Sequence, residues 1–328
     1  MRELKLWEFI KSSIESGSVV ILMTVLNSTG GSPGKAGFKM AVNNKLACQA
    51  GRPELFGTVG GGIMEYDLVE RVKEYLKTGE KVRLFQKLFH NKKAKVNRSG
   101  LICAGTETIF LCSLNSDDLQ IINSIVNSFI ERKPSLLKIT PEGISFINHR
   151  RNKNHIKFEK LSEDKWSYEE NIGIPNTVYV IGCGHVGLAV SKIMSQLDFY
   201  VITFDDRPDV ITVKQNNFSH QLVIKNFNEI GNDISEGEYS YVVIVTTAYP
   251  SDKTALLSVI DKKVKYIGLM GSKVKIKKIF DEVRSEGVSE EKLKFVHAPI
   301  GEKINSNTPE EIAVSIAAEI IKIKNSVS

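Results

Sequence analysis

Three glycine-lined turns and one loop cysteine are the segments of this chain whose residue types and spacing suit chemistry. The first turn is Gly182-Cys183-Gly184-His185-Val186-Gly187. Glycines at these spacings allow a tight turn at Gly182, close approach of backbone to a diphosphate at Gly184, and close helix–strand packing at Gly187. The helix that follows offers free N–H groups and a positive dipole end to phosphate. His185 exchanges protons near neutral pH, so it either touches a phosphate or reacting group or caps the helix start. Asp205, 18 residues after Gly187, stands where an acid would bind a ribose 2′-hydroxyl.

The second turn, Gly57-Thr58-Val59-Gly60-Gly61-Gly62, precedes a helical pattern. Gly60, Gly61 and Gly62 form either a second anion cradle or a turn where backbone passes close to backbone. No Gly-Lys-Ser/Thr follows, so it is not a Walker A loop. Glu65, on the first turn of that helix, suits the helix dipole. The third turn, Gly268-Leu269-Met270-Gly271-Ser272, runs into a helix bearing Lys273, Lys275, Lys277 and Lys278. Gly271 and Ser272 are a candidate anion site at a sheet edge, or ordinary turn residues. Cys103 lies in Ile102-Cys103-Ala104-Gly105, downstream of Lys95 and Arg98. Its thiol either has a lowered pKa and takes soft atoms such as molybdenum or sulfur, or is a buried small residue. Cys112 falls inside a strand pattern and reads as packing. With Cys48 and Cys183 these thiols form no C-x-x-C pair, which argues against a zinc site or disulfide framework.

The elements that must position these residues fall into two halves. Residues 176–328 alternate strand-length apolar runs with helical spacing: Asn176–Gly182, the helix Gly184–Leu197, then Phe199–Phe204, Gln221–Lys225, Tyr241–Thr246 and Tyr266–Leu269, with helices at Lys253–Asp261 and Ser272–Ser285. The expected fold is α/β, a Rossmann-type doubly wound parallel sheet covered on both faces. A last helix is marked by Thr308, Pro309 and Glu311 as a capping box, with Ile312, Ile316, Ile320 and Ile323 as its apolar face. Residues 1–170 are expected to hold a separate α/β domain with its core in about 1–114 and a connecting segment at 115–170. That connector carries a helix, a hairpin turning at Pro141-Glu142-Gly143, and a polar stretch containing the boundary near Asn171–Pro175.

The 328 residues are 42% hydrophobic and 25% charged, as in ordinary globular chains. No apolar run approaches the roughly 18 residues of a membrane span, and Met1-Arg2-Glu3-Leu4-Lys5-Leu6 lacks a signal-peptide core, so a cytoplasmic location is expected. The net charge of +6 is carried partly by clusters at Lys92–Lys95, His149–Lys153 and Lys273–Lys278. They lack interleaved aromatics, so nucleic acid is not an expected partner and a mild preference for anionic ligands is.

Taken together, these segments resemble the XdhC/CoxI family, accessory proteins of molybdenum hydroxylases such as xanthine dehydrogenase. The likeness rests on Ser28-Thr29-Gly30-Gly31-Ser32-Pro33-Gly34, Lys39-Met40, Gly57–Glu65 and Cys103-Ala104-Gly105. It continues through Val180–Gly187, Asp205-Asp206-Arg207-Pro208, Tyr266–Ser272, Pro299-Ile300-Gly301 and Thr308–Ala313. The resemblance implies a protein that binds the molybdenum cofactor (molybdopterin), presents it to a cysteine desulfurase for sulfuration and delivers it to an apo-hydroxylase. On this reading the glycine turns hold the anionic end of the cofactor and Cys103 its metal end. Departures from the family pattern are Ile63 in place of a cysteine after the triple glycine, Ala104 within the Cys-Gly-Gly motif, and Thr246-Thr247-Ala248-Tyr249 where relatives carry histidines. Two other readings stand beside it: an NAD(P)-dependent oxidoreductase with His185 as proton donor, and a nucleotide-sensing regulatory protein. A homodimer is left open.

Overall fold

Strand-length apolar runs that are buried on two faces dominate both halves of the chain, and their alternate residues separate into different cores. The computed structural model describes residues 1–46, 53–89 and 105–326. Two compact units result, Arg2–Ile174 and Pro175–Ser328 together with Met1.

The first unit begins with α1 (Arg2–Glu15), followed by β1 (Val20–Gly30), β2 (Lys39–Leu46), β3 (Pro53–Gly57), α2 (Gly62–Thr78), β4 (Arg83–Phe89) and β5 (Gly105–Leu114). These strands form one sheet in the order β3-β2-β1-β5-β4, with antiparallel pairing at each step. β1 is central, so its even residues Val20, Leu22 and Leu26 enter the core under α1. Its odd residues Ile21, Met23 and Val25 enter a second core under α2. A sheet covered on both faces needs such a continuous apolar run. Each fully buried side chain of this kind contributes about 1.5–3 kcal/mol.

The segment expected as a connector is folded. It forms α3 (Leu119–Ile130), β6 (Ser135–Thr140), β7 (Gly143–Asn148), β8 (Ile156–Lys160) and β9 (Trp166–Ile172). These strands make a second antiparallel sheet, β7-β6-β9-β8. Ile122, Ile125 and Phe129 of α3 and Trp166 and Tyr168 of β9 share one core with Leu6, Trp7 and Ile10 of α1. The stretch reads as polar because β9 alternates: Trp166, Tyr168 and Ile172 point inward while Ser167 and Glu169 are half-exposed. A buried charge joins the two sheets. The Lys39 ammonium, 1% exposed, lies 2.9 Å from Glu3 of α1 and 2.6 Å from Glu170 of β9. Burial opposes its charge, but the two carboxylates hold its pKa above the ordinary lysine range.

The second unit contains β10 (Thr177–Ile181), α4 (His185–Gln196), β11 (Tyr200–Asp205), α5 (Ile211–Lys214) and β12 (Gln221–Ile224). It continues with β13 (Gly237–Ile244), α6 (Tyr249–Val259), β14 (Val264–Leu269), α7 (Lys273–Ser285), α8 (Glu290–Phe295), β15 (Val296–His297) and α9 (Pro309–Asn325). Its sheet, β12-β11-β10-β13-β14-β15, is parallel throughout. Val178 and Val180 of β10 face the core of α4 and α9. Tyr179 and Ile181 face that of α6 and α7. The Thr308–Glu311 capping box forms and starts α9. The chain runs outward from β10 to β12 and then returns to β13 beside β10. That reversal opens a crevice at the carboxyl ends of β10 and β13, where open α/β sheets take ligands. No described helix is long and apolar enough to cross a membrane.

Candidate functional site

The turn between β10 and α4 sits at this reversal. The Gly182 N–H donates to Phe204 O at 2.8 Å, and the Val245 N–H donates to Ile181 O at 2.9 Å. The three loop glycines face different surroundings. A Cβ on Gly182 would fall 2.8 Å from Thr246 Cα, and one on Gly187 would fall 1.9 Å from Gly182 O. Those two glycines are required where backbone meets backbone. At Gly184 the nearest atom to such a Cβ is Thr247 Cγ2 at 3.4 Å, so this glycine faces room. Gly184 is the N-cap of α4 and supplies no side chain to it. Among the described residues none accepts from the N–H groups of His185, Val186 or Gly187, the first turn of α4. His185 is the first residue of that helix and is exposed.

Asp205 closes the other side of this turn from within. It was expected to meet a ribose, but it is 0% exposed. Its carboxylate accepts the Cys183 N–H at 2.7 Å, the Arg207 N–H at 3.0 Å, and Arg207 Nε and Nη2 at 2.9 and 3.0 Å. Burial works against its charge, but the bonds from Arg207 and the two amides outweigh it and hold the pKa below the ordinary carboxylate range. The acid thus fixes the glycine turn to Arg207, and the half-exposed guanidinium covers it.

The triple-glycine turn is closed in the same manner. Glu65 Oε2 accepts the Val59 N–H at 2.8 Å, the Gly61 N–H at 3.0 Å and the Thr58 hydroxyl at 2.5 Å. The chain's own carboxylate therefore takes the Gly61 donor of the expected anion cradle, and the Gly60 N–H goes to the Thr58 hydroxyl. Around it the family-like segments of the first unit meet. A Cβ on Gly60 would lie 2.7 Å from Gly34 N, one on Gly34 2.3 Å from Val59 O, and one on Gly105 2.4 Å from Thr29 O. The buried Glu107 of β5 accepts the Gly34 N–H at 2.7 Å and the Ser32 hydroxyl. Cys103 is two residues before Gly105, and it and Cys48 lie outside the described residues. The described thiols are packed inside the fold: Cys112 is buried and burial pushes its pKa to about 12, while Cys183 is buried against Thr212 O and Asn216 Nδ2. Among the described residues no group of three His, Cys, Asp or Glu is placed to hold a metal ion.

At the third turn, the Ser272 hydroxyl caps α7 by accepting the Lys275 N–H at 3.2 Å. Gly271 is packed against Lys275, whose ammonium pairs with Asp252. Asp252 is 0% exposed and also accepts the Thr246 hydroxyl at 2.5 Å. Burial pushes its carboxyl above the ordinary range, while Lys275 and Thr246 pull it down. Thr246, Asp252 and Lys275 were not singled out from the sequence. The available signal was Pro250 and Asp252 in the first turn of α6, which marks a helix start but not the lysine that reaches it.

Residues 13–86 match the family model described as the XdhC and CoxI family, and residues 178–320 that described as the XdhC Rossmann domain. The protein YqeB of Escherichia coli K12, described as uncharacterized, is 29% identical over 47% of this chain and 28% of its own length. A protein of Bacillus subtilis 168 described as a probable xanthine dehydrogenase subunit is 26% identical over 45% of this chain and 43% of its own. The chain thus spans less than half the length of these curated relatives. A crystal structure described as a xanthine dehydrogenase from Bacillus halodurans superposes on all of this chain and 97% of the other, with a TM-score of 0.77 and 17% identity, a likeness of fold.

Proposed function

We propose that this chain, which belongs to the XdhC and CoxI family, is an accessory factor to a xanthine dehydrogenase-type molybdenum hydroxylase and carries that enzyme's molybdenum cofactor. The observation that supports it best is the open first turn of α4. The free N–H groups of His185–Gly187, the clear space at Gly184 and the helix dipole suit the phosphate or diphosphate end of a pterin cofactor. His185 and Thr247 border the same opening. When bound, the cofactor supplies a dithiolene-held metal for oxo and sulfido chemistry. The contribution of α4 is to hold the anionic end, and the family resemblance separately implies Cys103 as a thiol for the metal. On this reading the partners are the apo-hydroxylase that receives the cofactor and a cysteine desulfurase that sulfurates it.

An NAD(P)-dependent oxidoreductase fits less well. NAD would use an acid at the end of β11 free to meet the ribose 2′-hydroxyl, and Asp205 is committed to Arg207 and the Cys183 amide. The deciding experiment is mass spectrometry and metal analysis of protein purified from a molybdate-fed host, with pterin fluorescence after oxidation. A pterin–molybdenum species is expected, reduced in a Gly184→Val variant and in Cys103→Ala. Pterin no higher than in a control protein would overturn the proposal, and saturable NADH binding would replace it with the oxidoreductase.

A further inference from the structure

The opposite, amino-terminal edge of the second unit's sheet carries a cluster that the proposed role does not use. Glu319, on the buried side of α9, receives three hydrogen bonds. His297 Nδ1 lies 3.0 Å from its Oε1, while the Tyr266 hydroxyl at 2.6 Å and the Gly301 N–H at 2.8 Å reach its Oε2. Burial opposes the charge on Glu319, but these donors outweigh it and keep the carboxylate ionised. An ionised carboxylate can only accept, so His297 carries its proton on Nδ1. The ring is also fixed by Tyr266, whose centroid is 4.7 Å away. Nε2 is then the one uncommitted nitrogen of a half-exposed imidazole.

That imidazole lines a 540 Å³ cavity, together with Lys263, Lys265, Glu238 and the apolar Phe295 and Ile323. The size is within the range of small-molecule sites. Neither lysine has an ion-pair partner among the described residues, and Phe295 is 43% exposed. The C-terminal end of α9 adjoins the cavity. Its carbonyls would oppose an anion, but the Ser326 N–H and hydroxyl bond the Ile323 and Lys322 carbonyls there. Of the last-turn lysines, Lys322 is paired with Glu302 and Lys324 lies over Phe199. Among the described lining residues two lysines face one glutamate, so the balance of charge is positive, beside an exposed aromatic face.

We propose that this cavity is a second ligand site, distinct from the glycine loop, for a small planar anion whose carboxylate or phosphate meets Lys263 and Lys265 beside the His297 ring while its own ring lies against Phe295. Two histidines make the test direct, because His297 reports this edge of the sheet and His185 reports the glycine loop. The full chain is titrated with benzoate, with AMP and with inorganic phosphate while the imidazole resonances are followed by NMR. His297→Gln and His185→Gln variants assign the two signals. Saturable movement of the His297 signal by benzoate or AMP, with His185 still and phosphate alone weaker, is the expected result. A Lys263→Glu/Lys265→Glu variant should weaken this binding about tenfold or more. Movement of His185 alone would overturn the proposal and place the ligand at the glycine loop. No movement of His297 at about 10 mM probe, or movement unchanged in the double variant, would also overturn it.

Discussion

The glycine turns before α2 and before α4 look alike in sequence and differ in what fills them. Both bring glycines and a run of N–H groups to a helix start. At α2 the donors of Val59 and Gly61 end on Glu65, one turn into the same helix. At α4 an internal carboxylate reaches only the Cys183 N–H, and at both helices the first-turn N–H groups find no acceptor among the described residues. An internal acid at a glycine turn therefore competes with a ligand for the N–H groups that precede the helix. The position of that acid decides how many of them it takes. Glu65 lies on the helix and folds back onto the turn, whereas Asp205 lies on a neighbouring strand and meets the loop before the helix begins.

The largest effect should come from a methyl group at Gly187. Gly187→Ala places a carbon against the Gly182 carbonyl. It should cost about 3 kcal/mol, visible as a lower midpoint for the second unit in urea unfolding. A midpoint near wild type would mean that helix and turn do not touch as described.

Next is Asp205→Asn, which leaves the turn amide and the Arg207 guanidinium without their carboxylate, at a cost of about 2 kcal/mol. The effect has a pH signature. The pKa of Asp205 is depressed in the folded state, so its contribution is present above the unfolded value near about 3.9 and is lost as pH falls through the folded value. The stability gap between wild type and variant should be full at pH 6 and should close below about pH 4. A gap independent of pH would remove the ion pair from the account.

A smaller loss is expected for Glu65→Ala, about 1.5 kcal/mol for the bonds removed. The variant should also convert the closed turn into an open one. Inorganic phosphate should then move the Gly61 amide resonance in the variant and leave it still in wild type. Equal movement in both would erase the distinction between the two turns.

Least of all, Gly184→Ala should change stability by no more than about 0.5 kcal/mol, because its nearest neighbour is a methyl group at contact distance. A loss as large as that at Gly187 would mean that Gly184, too, is a packing glycine.

Much of the second unit was legible because each signal was local. The run Asn176–Gly182, the glycine spacing, the acid at Asp205 and the Thr308–Glu311 cap each declare themselves within a few residues. Less of the first unit was legible. β9 conceals an inward face behind charged neighbours, and β3 is too short to show a period. In the candidate site, the turns and their glycines were found, but their occupants were not. Cys103, the thiol that the family resemblance implies for a metal, lies outside the described residues.

By itself the sequence determined where backbone must bend, which helices begin at those bends, and that a parallel sheet stands behind the Gly182–Gly187 loop. These follow from dihedral freedom, capping and apolar periodicity, all short-range. Only the tertiary structure decided which donors remain free. Asp205 meets Cys183 because β11 lies beside β10, and Lys275 reaches Asp252 because α7 packs on α6. Long-range packing brings such charges within hydrogen-bonding distance, and no local spacing encodes that approach.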